Sequence, residues 1–307
     1  MKKTKIILDT DIGDDIDDAF ALAYAYNNPK IELLGVTTVF KDTMSRAKQV
    51  LKYFDSVNEK NIPVRAGIGT PIKQPIITFE SDKNHNGKGY PHPCQYDESY
   101  DKYQVDNESA VDFIARMVDK YPKEIVLVPI GPLTNIAAVI TNHPNLVKKI
   151  NKIILMGGDA AEPQPEWNIL CDPEAADIVF RSGIDVYCVG INVTLQCTLE
   201  DSLLDELTIG NDNQSRLLKE WFDKWSGFFN FHKSVMHDPL AVASLVEDTC
   251  VFEKVRIKAD LVKKRGSITV VDNEDISGNF IYAAMKVDKN KFYGVFKKQV
   301  LNNTKNI

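Results

Sequence analysis

The sequence lacks several features that would place it in a broad class of proteins. Its five cysteines are odd in number and show no Cys-x-x-Cys spacing, which is expected of reduced thiols in a cytoplasmic protein. It has no long block of Lys or Arg, and its formal net charge of -6 argues against nucleic acid or an anionic membrane as the main partner. No apolar run is as long as a membrane span or the hydrophobic region of a signal peptide. These absences leave a small molecule as the expected partner.

The length and pattern of the chain predict one α/β domain over residues 1–307. With 307 residues and 44% hydrophobic content, the chain can bury a large core. Short β-rich runs alternate with helical patterns, which predicts an open, mostly parallel central sheet with helices on both faces. The strand candidates are residues 5–8, 33–40, 125–130, 153–156, 185–191 and 267–271. In such a Rossmann-like sheet the chemistry lies at the carboxyl ends of strands. The Lys-rich tail after residue 272 is expected to be surface.

The most distinctive stretch directly follows the first predicted strand. Residues 9–18 read DTDIGDDIDD, with six aspartates and no Lys or Arg. Like charges packed this closely destabilise a fold unless a cation lies among them, so the stretch predicts a divalent-metal loop. Oxygen-only ligands favour Ca²⁺ or Mg²⁺. Asp17 and Asp18 would begin the next helix and face the positive end of its dipole.

Two alternative explanations of this stretch are weaker. An EF-hand loop needs Gly at position six and Glu at position twelve, and counting from either Asp9 or Asp11 meets neither requirement. A solvated acidic face is the usual explanation of a charge run, but this run follows a predicted buried strand, where a parallel sheet forms its ligand crevice. A functional site is therefore favoured.

Polar or glycine-containing turns follow other predicted strands. GPLTN at residues 131–135 follows an apolar run, and MGGD at residues 156–159 follows another. Taken alone, each turn also fits an ordinary tight connection. EWN at residues 166–168 precedes Asp172, which could simply be the N-cap of a helix that begins near Pro173.

The second half of the chain adds an aromatic helix and a His-Asp pair. Between residues 215 and 232, aromatic and leucine side chains recur at helical spacing, which usually marks core or a subunit interface. The alternative is an aromatic wall that stacks on a planar ligand through Trp225 or Phe229. His237 and Asp238 then open an apolar helix and offer a titratable proton donor beside a possible metal oxygen.

From about residue 5 to residue 272, the chain resembles the nucleoside hydrolase family of the inosine-uridine type. The resemblance rests on four motifs in order, namely the acidic stretch DTDIGDDIDDA, GPLTN, MGG with EWN, and HDP. It implies the nucleoside hydrolase fold, an enzyme that acts on N-glycosyl bonds in purine or pyrimidine salvage, and a homodimer or homotetramer.

The resemblance also assigns roles to individual residues. It implies that one Ca²⁺ is held by five residues, with Thr134 contributing its carbonyl: Asp11, Asp17, Asp18, Thr134 and Asp238. The ribose would be bound by Glu166 and Asn168, with Met156 close by. The departing base would be protonated by His237.

The chain departs from the family pattern at three places. The acidic loop is two residues longer than the usual DxDxGxDDA, so Asp15 is an alternative to Asp17 as a ligand. The asparagine that contacts the sugar after the TTV strand is missing, and Asp42 stands nearest to its place. The segment between MGG and EWN is short and lacks the family's Gly-Asn pair. The base would be contacted by Trp225 and by His85 from the loop of residues 70–106, and the base preference is left open.

The expected reaction is hydrolysis of the bond between ribose and a nucleobase. The transition state has oxocarbenium character on the sugar and negative charge on the base, so water must be activated on one side and the base protonated on the other. We expect a water on Ca²⁺ to be deprotonated by Asp11, and His237 to protonate the base.

Three alternative functions are a catalytically inactive Ca²⁺-dependent nucleoside- or sugar-binding protein, a structural metal protein, and an Asp-x-Asp phosphoryl-transfer enzyme. In the phosphoryl-transfer enzymes, Thr or Val is typical at the position where this chain has Gly13.

Overall fold

The protein, described here from a computed structural model that covers residues 2–78, 93–199 and 201–301, is built around one sheet. Within these residues the sheet has nine strands in the order β3-β2-β1-β4-β5-β6-β9-β7-β8. The strands are β1 (Thr4–Thr10), β2 (Ile31–Thr38), β3 (Val64–Ala66), β4 (Ile125–Pro129), β5 (Lys152–Met156), β6 (Val186–Val189), β7 (Cys250–Ala259), β8 (Ile268–Val271) and β9 (Asn279–Val287). Pairing is parallel from β3 to β9 in this order and antiparallel between β9, β7 and β8.

Helices connect most of these strands. They are α1 (Asp17–Asn27), α2 (Thr43–Ser56), α3 (Ala110–Lys120), α4 (Thr134–Asn142), α5 (Trp167–Cys171), α6 (Pro173–Phe180), α7 (Ile191–Thr194), α8 (Asp201–Ile209), α9 (Asn213–Phe229), α10 (His237–Ser244) and α11 (Lys289–Phe296). Short 3₁₀ turns cover Glu98–Lys102 and Pro144–Lys149, and a π-helical turn covers Lys297–Leu301. None of the helices in the described ranges is long and apolar enough to cross a membrane.

The sheet is covered on both faces, as its continuous apolar strands predict. In β1, Ile6 and Leu8 join one core cluster with residues of α1, α2, α9, α10 and α11, whereas Ile7 joins a second cluster with residues of α3, α4 and α6. Successive side chains of a strand point to opposite faces, so a strand buried on both faces needs apolar residues throughout. Each fully buried Ile or Leu contributes about 1.5–3 kcal/mol. The predicted open α/β sheet is confirmed.

The strand order places a crevice beside the acidic stretch. The first six strands run in the order 3-2-1-4-5-6, so the connection that follows β1 leads to β2 on one side, and the connection that follows β4 leads to β5 on the other side. Loops that diverge at such a point leave a gap at the carboxyl ends of the strands, where ligands of open α/β sheets bind. The acidic stretch follows β1, and residues 131–135 follow β4.

The C-terminal part of the chain is not the surface tail that the sequence suggested. Strand β9 lies inside the sheet, between β6 and β7, and α11 buries Phe292 and Phe296 completely. Lys residues are frequent in this segment because they occupy the exposed positions of an otherwise apolar strand and helix. The prediction was wrong because it weighed the charged residues and ignored the apolar ones between them.

Candidate active site

A cavity of about 590 Å³ lies at the carboxyl ends of β1, β4 and β5. One side of its lining is acidic and contains Asp11, Asp14, Asp15, Asp17, Asp18 and Asp238. Another part of the lining, the aromatic side, contains Trp167, Trp225, Phe229 and Phe231. Met156, Glu166, Asn168 and His237 also line the cavity. Most residues that the sequence singled out therefore come together in one place.

Three buried carboxylates form the centre of the acidic side. Asp17 and Asp18 stand in the first turn of α1, and Asp238 stands in the first turn of α10; one ligand oxygen from each lies within 4.8 Å of the others. The backbone N–H of Asp238 donates to Asp17 Oδ2 at 3.0 Å, and the hydroxyl of Thr10 donates to Asp18 Oδ1. The first contact joins the N-terminal ends of α1 and α10, and the second joins α1 to the end of β1.

The electrostatics of this carboxylate cluster favour a cation. Burial, together with the charges of the neighbouring carboxylates, raises the pKa of Asp17, Asp18 and Asp238 well above the ordinary value. Within the described residues, no Lys or Arg forms an ion pair with these three side chains. Buried, unpaired carboxylates are costly, whereas a hard divalent cation with oxygen ligands would neutralise them. The donor set therefore fits Ca²⁺ or Mg²⁺.

Asp15 and Asp17 differ in their surroundings. Asp15 is exposed at the edge of the cavity, and its Oδ1 accepts from the backbone N–H of Ile16 at 2.7 Å. Asp17 is buried and belongs to the carboxylate cluster. The geometry thus brings Asp17, and not Asp15, together with Asp18 and Asp238.

Asp11 lies on the same side of the cavity, outside the cluster of three. Its side chain is buried, and burial raises its pKa to about 6, with Arg46 opposing the shift and Asp14 adding to it. A Cβ at Gly131 would lie 2.6 Å from Asp11 Oδ1, so the glycine after β4 leaves room for this carboxylate. A carboxylate with a raised pKa beside a cavity has the properties of a general base.

Arg46 holds the acidic turn in place from helix α2. Its guanidinium is fully buried and donates to the carbonyls of Phe40 and Ile12, both at 2.8 Å, and to the carbonyl of Asp11. It also donates to Asp14 Oδ2 at 2.8 Å. One side chain thereby joins the acidic turn, the turn after β2 and α2.

Asp14 is neutralised within the protein. Lys41 Nζ lies 3.3 Å from Asp14 Oδ2 and shares this carboxylate with Arg46. Burial alone would raise the pKa of Asp14, but the charges of Arg46 and Lys41 hold it below the ordinary value. Asp14 is therefore a partner of two cationic side chains and is not part of the carboxylate cluster.

Thr134 stands at the start of α4 and is not among the residues that line the cavity. Its hydroxyl donates to Asp172 Oδ2 at 2.7 Å, so the side chain is used to join α4 to the N-cap of α6. The next residue, Asn135, donates to Asp9 Oδ1 at 2.7 Å and to the carbonyl of Thr38 at 3.0 Å. These bonds tie the turn after β4 to the ends of β1 and β2.

Glu166 and Asn168 form a rigid polar corner. Glu166 is the N-cap of α5 and accepts from the backbone N–H groups of Gly158, Asn168 and Ile169 at 2.9–3.1 Å. The amide of Asn168 donates to the carbonyls of Ile130 at 2.9 Å and of Met156 at 3.2 Å. Burial raises the pKa of Glu166, and the N–H donors oppose that shift. These residues are held ready to contact a polar ligand without rearranging.

His237 is the first residue of α10 and directly precedes Asp238. Its Nδ1 lies 2.6 Å from the hydroxyl oxygen of Thr194, which is fully buried at the end of α7. Burial lowers the pKa of His237 to about 4, so the imidazole is neutral at neutral pH. A neutral imidazole carries one N–H donor and one acceptor nitrogen.

The aromatic side of the cavity contains rings from two segments. Trp225 is buried on α9, and Phe231 follows the helix with 57% of its surface exposed. Phe229 and Phe231 are stacked at an interplanar angle of 11°. Trp167 comes from α5. This side offers apolar ring faces to a planar ligand.

Two predicted substrate contacts are not found in the cavity. Asp42 is the N-cap of α2, where its carboxylate accepts from the backbone N–H of Ser45 at 3.0 Å and from the hydroxyl of Ser45 at 2.7 Å, and it is not among the lining residues. An aspartate just before a helix is a common N-cap, so its carboxylate already has this structural role, and its contact with the sugar stays a prediction. His85 lies outside the described residues.

Three residues that shape the site were not predicted from the sequence. Arg46 and Thr194 act through tertiary contacts, and nothing local marks either residue. Phe231 lies within residues 215–232 but outside the helical spacing, because the helix ends at Phe229.

Comparison with known proteins shows what this arrangement is similar to. The family model described as inosine-uridine preferring nucleoside hydrolase matches residues 6–294, beyond the end expected from the motifs alone. The inosine-uridine preferring nucleoside hydrolase of Crithidia fasciculata is 32% identical over 307 residues, which cover 95% of each chain. Uridine nucleosidase 1 of Arabidopsis thaliana is 32% identical over 278 residues, which cover 84% of this chain and 79% of the relative.

Solved structures give the same result. A purine-preferring ribonucleoside hydrolase from Gardnerella vaginalis superimposes with a TM-score of 0.83 at 28% identity, covering 97% of this chain and 98% of that one. The names of the matched proteins specify different nucleosides: inosine and uridine, uridine alone, or purine ribonucleosides. Similarity therefore defines the class of molecule without defining a base.

Proposed function

This chain belongs to the inosine-uridine preferring nucleoside hydrolase family, whose members act on N-glycosyl bonds, and we propose that it is a Ca²⁺-dependent enzyme that hydrolyses ribonucleosides to ribose and a free base. The observation that carries the proposal is the meeting of Asp17, Asp18 and Asp238 within 4.8 Å, in the same cavity as Asp11 and His237. Residues from both ends of the chain thus supply an ion site, a base and a donor at one crevice.

The ion would be held by the carboxylates of Asp17, Asp18 and Asp238, with Asp11 beside them. Thr134 enters this set only through its carbonyl, because its hydroxyl is bonded to Asp172. When bound, Ca²⁺ supplies positive charge that neutralises these carboxylates and polarises the oxygens of water and of sugar hydroxyls. Asp14 remains with Arg46 and Lys41 and provides no ligand.

The reaction needs a base on one side of the sugar and a donor on the other. Asp11 accepts a proton from the attacking water as the oxygen of that water bonds to the anomeric carbon. The N-glycosidic bond breaks, and its electron pair leaves with the nucleobase. His237 donates from its ring N–H to the nitrogen that leaves, which stabilises the negative charge developing there. His237 keeps its ring proton, because a neutral imidazole that lost it would become an anion. Asp11 releases the proton of the water to solvent, and the departing base takes one up from solvent. Overall, the sugar gains the hydroxyl group of the water and the base gains a proton.

The remaining residues would hold the substrate. Glu166 and Asn168 form the polar corner that contacts ribose hydroxyls, with Met156 packed against them. Trp225 would stack on the base from the aromatic side of the cavity. Since ring faces pack against any planar base, this wall supports a substrate class of ribonucleosides and does not select a particular base.

A nucleoside panel tests the proposal. Protein treated with a chelator is assayed for release of ribose from inosine, adenosine, guanosine, uridine and cytidine, before and after Ca²⁺ is added. We expect release only with Ca²⁺, and we expect Asp11→Ala to lower turnover by about 10²- to 10⁴-fold, the usual value of a general base. Asp223→Ala, which removes an exposed carboxylate of α9, is the control and should turn over like wild type.

Two results would contradict the proposal. Ribose release that is unaffected by the chelator would remove Ca²⁺ from the mechanism, and Asp11→Ala turnover near that of wild type would remove Asp11 as the base. Calorimetry that shows nucleoside binding without any ribose release would instead favour a binding protein.

A further inference from the structure

The contact between Thr194 and His237 joins two elements at the cavity. Thr194 ends α7, which follows β6, and His237 begins α10, 43 residues later in the chain. Thr194 Oγ1 and His237 Nδ1 are 2.6 Å apart, and the threonine side chain is completely buried. A bond this short between buried groups fixes the orientation of the imidazole ring.

The direction of this hydrogen bond follows from the needs of the hydroxyl. A hydroxyl group has one proton to donate, and a buried one without an acceptor costs about 1–3 kcal/mol. Within the described part of the chain, the Thr194 hydroxyl has no hydrogen-bond partner other than His237 Nδ1. The favourable arrangement is therefore one in which Thr194 donates and Nδ1 accepts.

We propose that Thr194 is a positioning residue that sets the tautomer of His237, so that the ring proton resides on Nε2, the second nitrogen of the ring. This inference rests on the proposed function, because it explains how His237 meets the leaving base as a donor. Nε2 is the nitrogen that remains for the cavity that His237 lines. Thr194 itself acts through His237 and is not a residue of the cavity lining.

The tautomer decides whether His237 helps or hinders the reaction. With the proton on Nε2, the ring presents an N–H to the nitrogen on which negative charge develops, and the interaction is attractive. With the proton on Nδ1, the ring would present a lone pair to the same charge, and the interaction would be repulsive. A single hydroxyl therefore determines the sign of this interaction.

A ¹⁵N NMR measurement tests the tautomer without relying on activity. The five histidines of the chain are labelled with ¹⁵N in the ring, and the His237 signals are identified by their loss in His237→Ala. In Ca²⁺-loaded wild-type protein at neutral pH we expect Nδ1 to show the shift of an unprotonated nitrogen and Nε2 that of a protonated one. The reverse assignment, or two protonated nitrogens, would overturn the proposal.

A set of variants tests the consequence for turnover. Thr194→Val keeps the shape of the side chain and removes the donor, and we expect kcat on the best nucleoside of the panel to fall by about 10- to 10²-fold, less than the 10²- to 10⁴-fold value of a complete acid–base group. Thr194→Ser keeps the hydroxyl and should recover most of the loss. In a His237→Ala background, Thr194→Val should cause little further loss.

The outcomes separate this inference from the proposed function. If the wild-type protein releases no ribose from any nucleoside, the proposed function fails, and the NMR measurement still decides the tautomer. If the protein is active but Thr194→Val lowers kcat equally in the presence and absence of His237, Thr194 does not act through His237 and the inference fails. Should Thr194→Val not fold, the wild-type NMR spectrum and the Thr194→Ser kinetics remain as tests.

Discussion

Asp15 and Asp17 are the two candidates for one position in the proposed ion site, and they differ in burial. Asp17 is buried and accepts from the backbone N–H of Asp238 at 3.0 Å, whereas Asp15 is exposed and accepts from its own neighbour, Ile16. A buried carboxylate that points at two others gains most from a cation, and an exposed one is already stabilised by water. The surroundings favour Asp17 as the ligand.

Paired substitutions can check this assignment. We predict that Asp17→Asn weakens Ca²⁺ binding to chelator-treated protein by at least about tenfold, or ~1.4 kcal/mol, because it removes one charged ligand. Asp15→Asn removes the same charge two residues earlier and should change the dissociation constant by no more than about twofold, because this carboxylate is outside the cluster of three. Calorimetric titration with CaCl₂ measures both constants. A larger effect from Asp15→Asn would reverse the assignment.

At the scale of single residues, the motifs could be predicted from the sequence, but the contacts that support them could not. Asp17, Asp18 and Asp238 belong to recognisable local patterns, and the fold brings them together. Asp42 caps α2 through its bonds to Ser45, and its contact with the sugar stays a prediction. Thr194 has no local signal at all, because its role depends on a histidine 43 residues away.

At the scale of elements, the acidic turn depends on the helix packed beside it. Arg46 of α2 donates to carbonyls of the turn and to Asp14, and its side chain is completely buried. If the guanidinium were removed, three backbone carbonyls would lose its hydrogen bonds, and the charge of Asp14 would be shared with Lys41 alone. Breaking a buried ion pair leaves an uncompensated charge, which is among the costlier changes in a protein.

We therefore predict that Arg46→Met lowers the free energy of unfolding by about 3–5 kcal/mol, even though the methionine refills part of the volume. The matched control is Lys48→Met on the same helix, where Lys48 pairs with the exposed Asp101, and the expected cost is below about 1 kcal/mol. Urea unfolding followed by circular dichroism gives both values. Equal costs for the two variants would show that Arg46 does not hold the turn.

The elements missed by sequence reasoning are those with one exposed face. Strands β7 and β9 pair antiparallel at the end of the sheet, and Lys254 and Arg256 lie over the ring of Phe280. Long cationic side chains that cover aromatic rings give such strands a mixed, charged sequence. Strands β1, β2, β4, β5 and β6 were predictable from their apolar runs, whereas β3 has only three residues and too little pattern to be predicted.

For the whole molecule, ion binding and folding are expected to be coupled. Asp17 and Asp238 are 221 residues apart in the sequence, so the carboxylate cluster exists only when the sheet and both helices are formed. An ion that binds only the folded state stabilises it by mass action, by about 2.7 kcal/mol at a hundredfold excess over the dissociation constant. Without the ion, the same carboxylates repel one another inside the fold.

The buried carboxylates also make stability depend on pH. Without Ca²⁺, stability should fall as the pH rises, whereas carboxylates in salt bridges make a protein more stable as the pH rises. Burial and mutual repulsion raise the pKa of Asp17, Asp18 and Asp238 well above the ordinary value, so these groups keep protons in the folded state that the unfolded chain has already lost. The chelated protein should therefore lose stability as the pH rises from about 4, the ordinary carboxyl pKa, towards the raised values.

Bound Ca²⁺ favours the ionised carboxylates, so the rise in Tm on adding Ca²⁺ should be larger at about pH 8 than at about pH 5, where protons compete for the same oxygens. Differential scanning calorimetry of chelated and Ca²⁺-loaded protein at both pH values measures the difference. Asp238→Asn removes one of the three charges, so its chelated form should depend less on pH and gain little from Ca²⁺. A larger Ca²⁺-induced rise at the lower pH would mean that the ion does not bind these carboxylates, since protons and a cation cannot both occupy them.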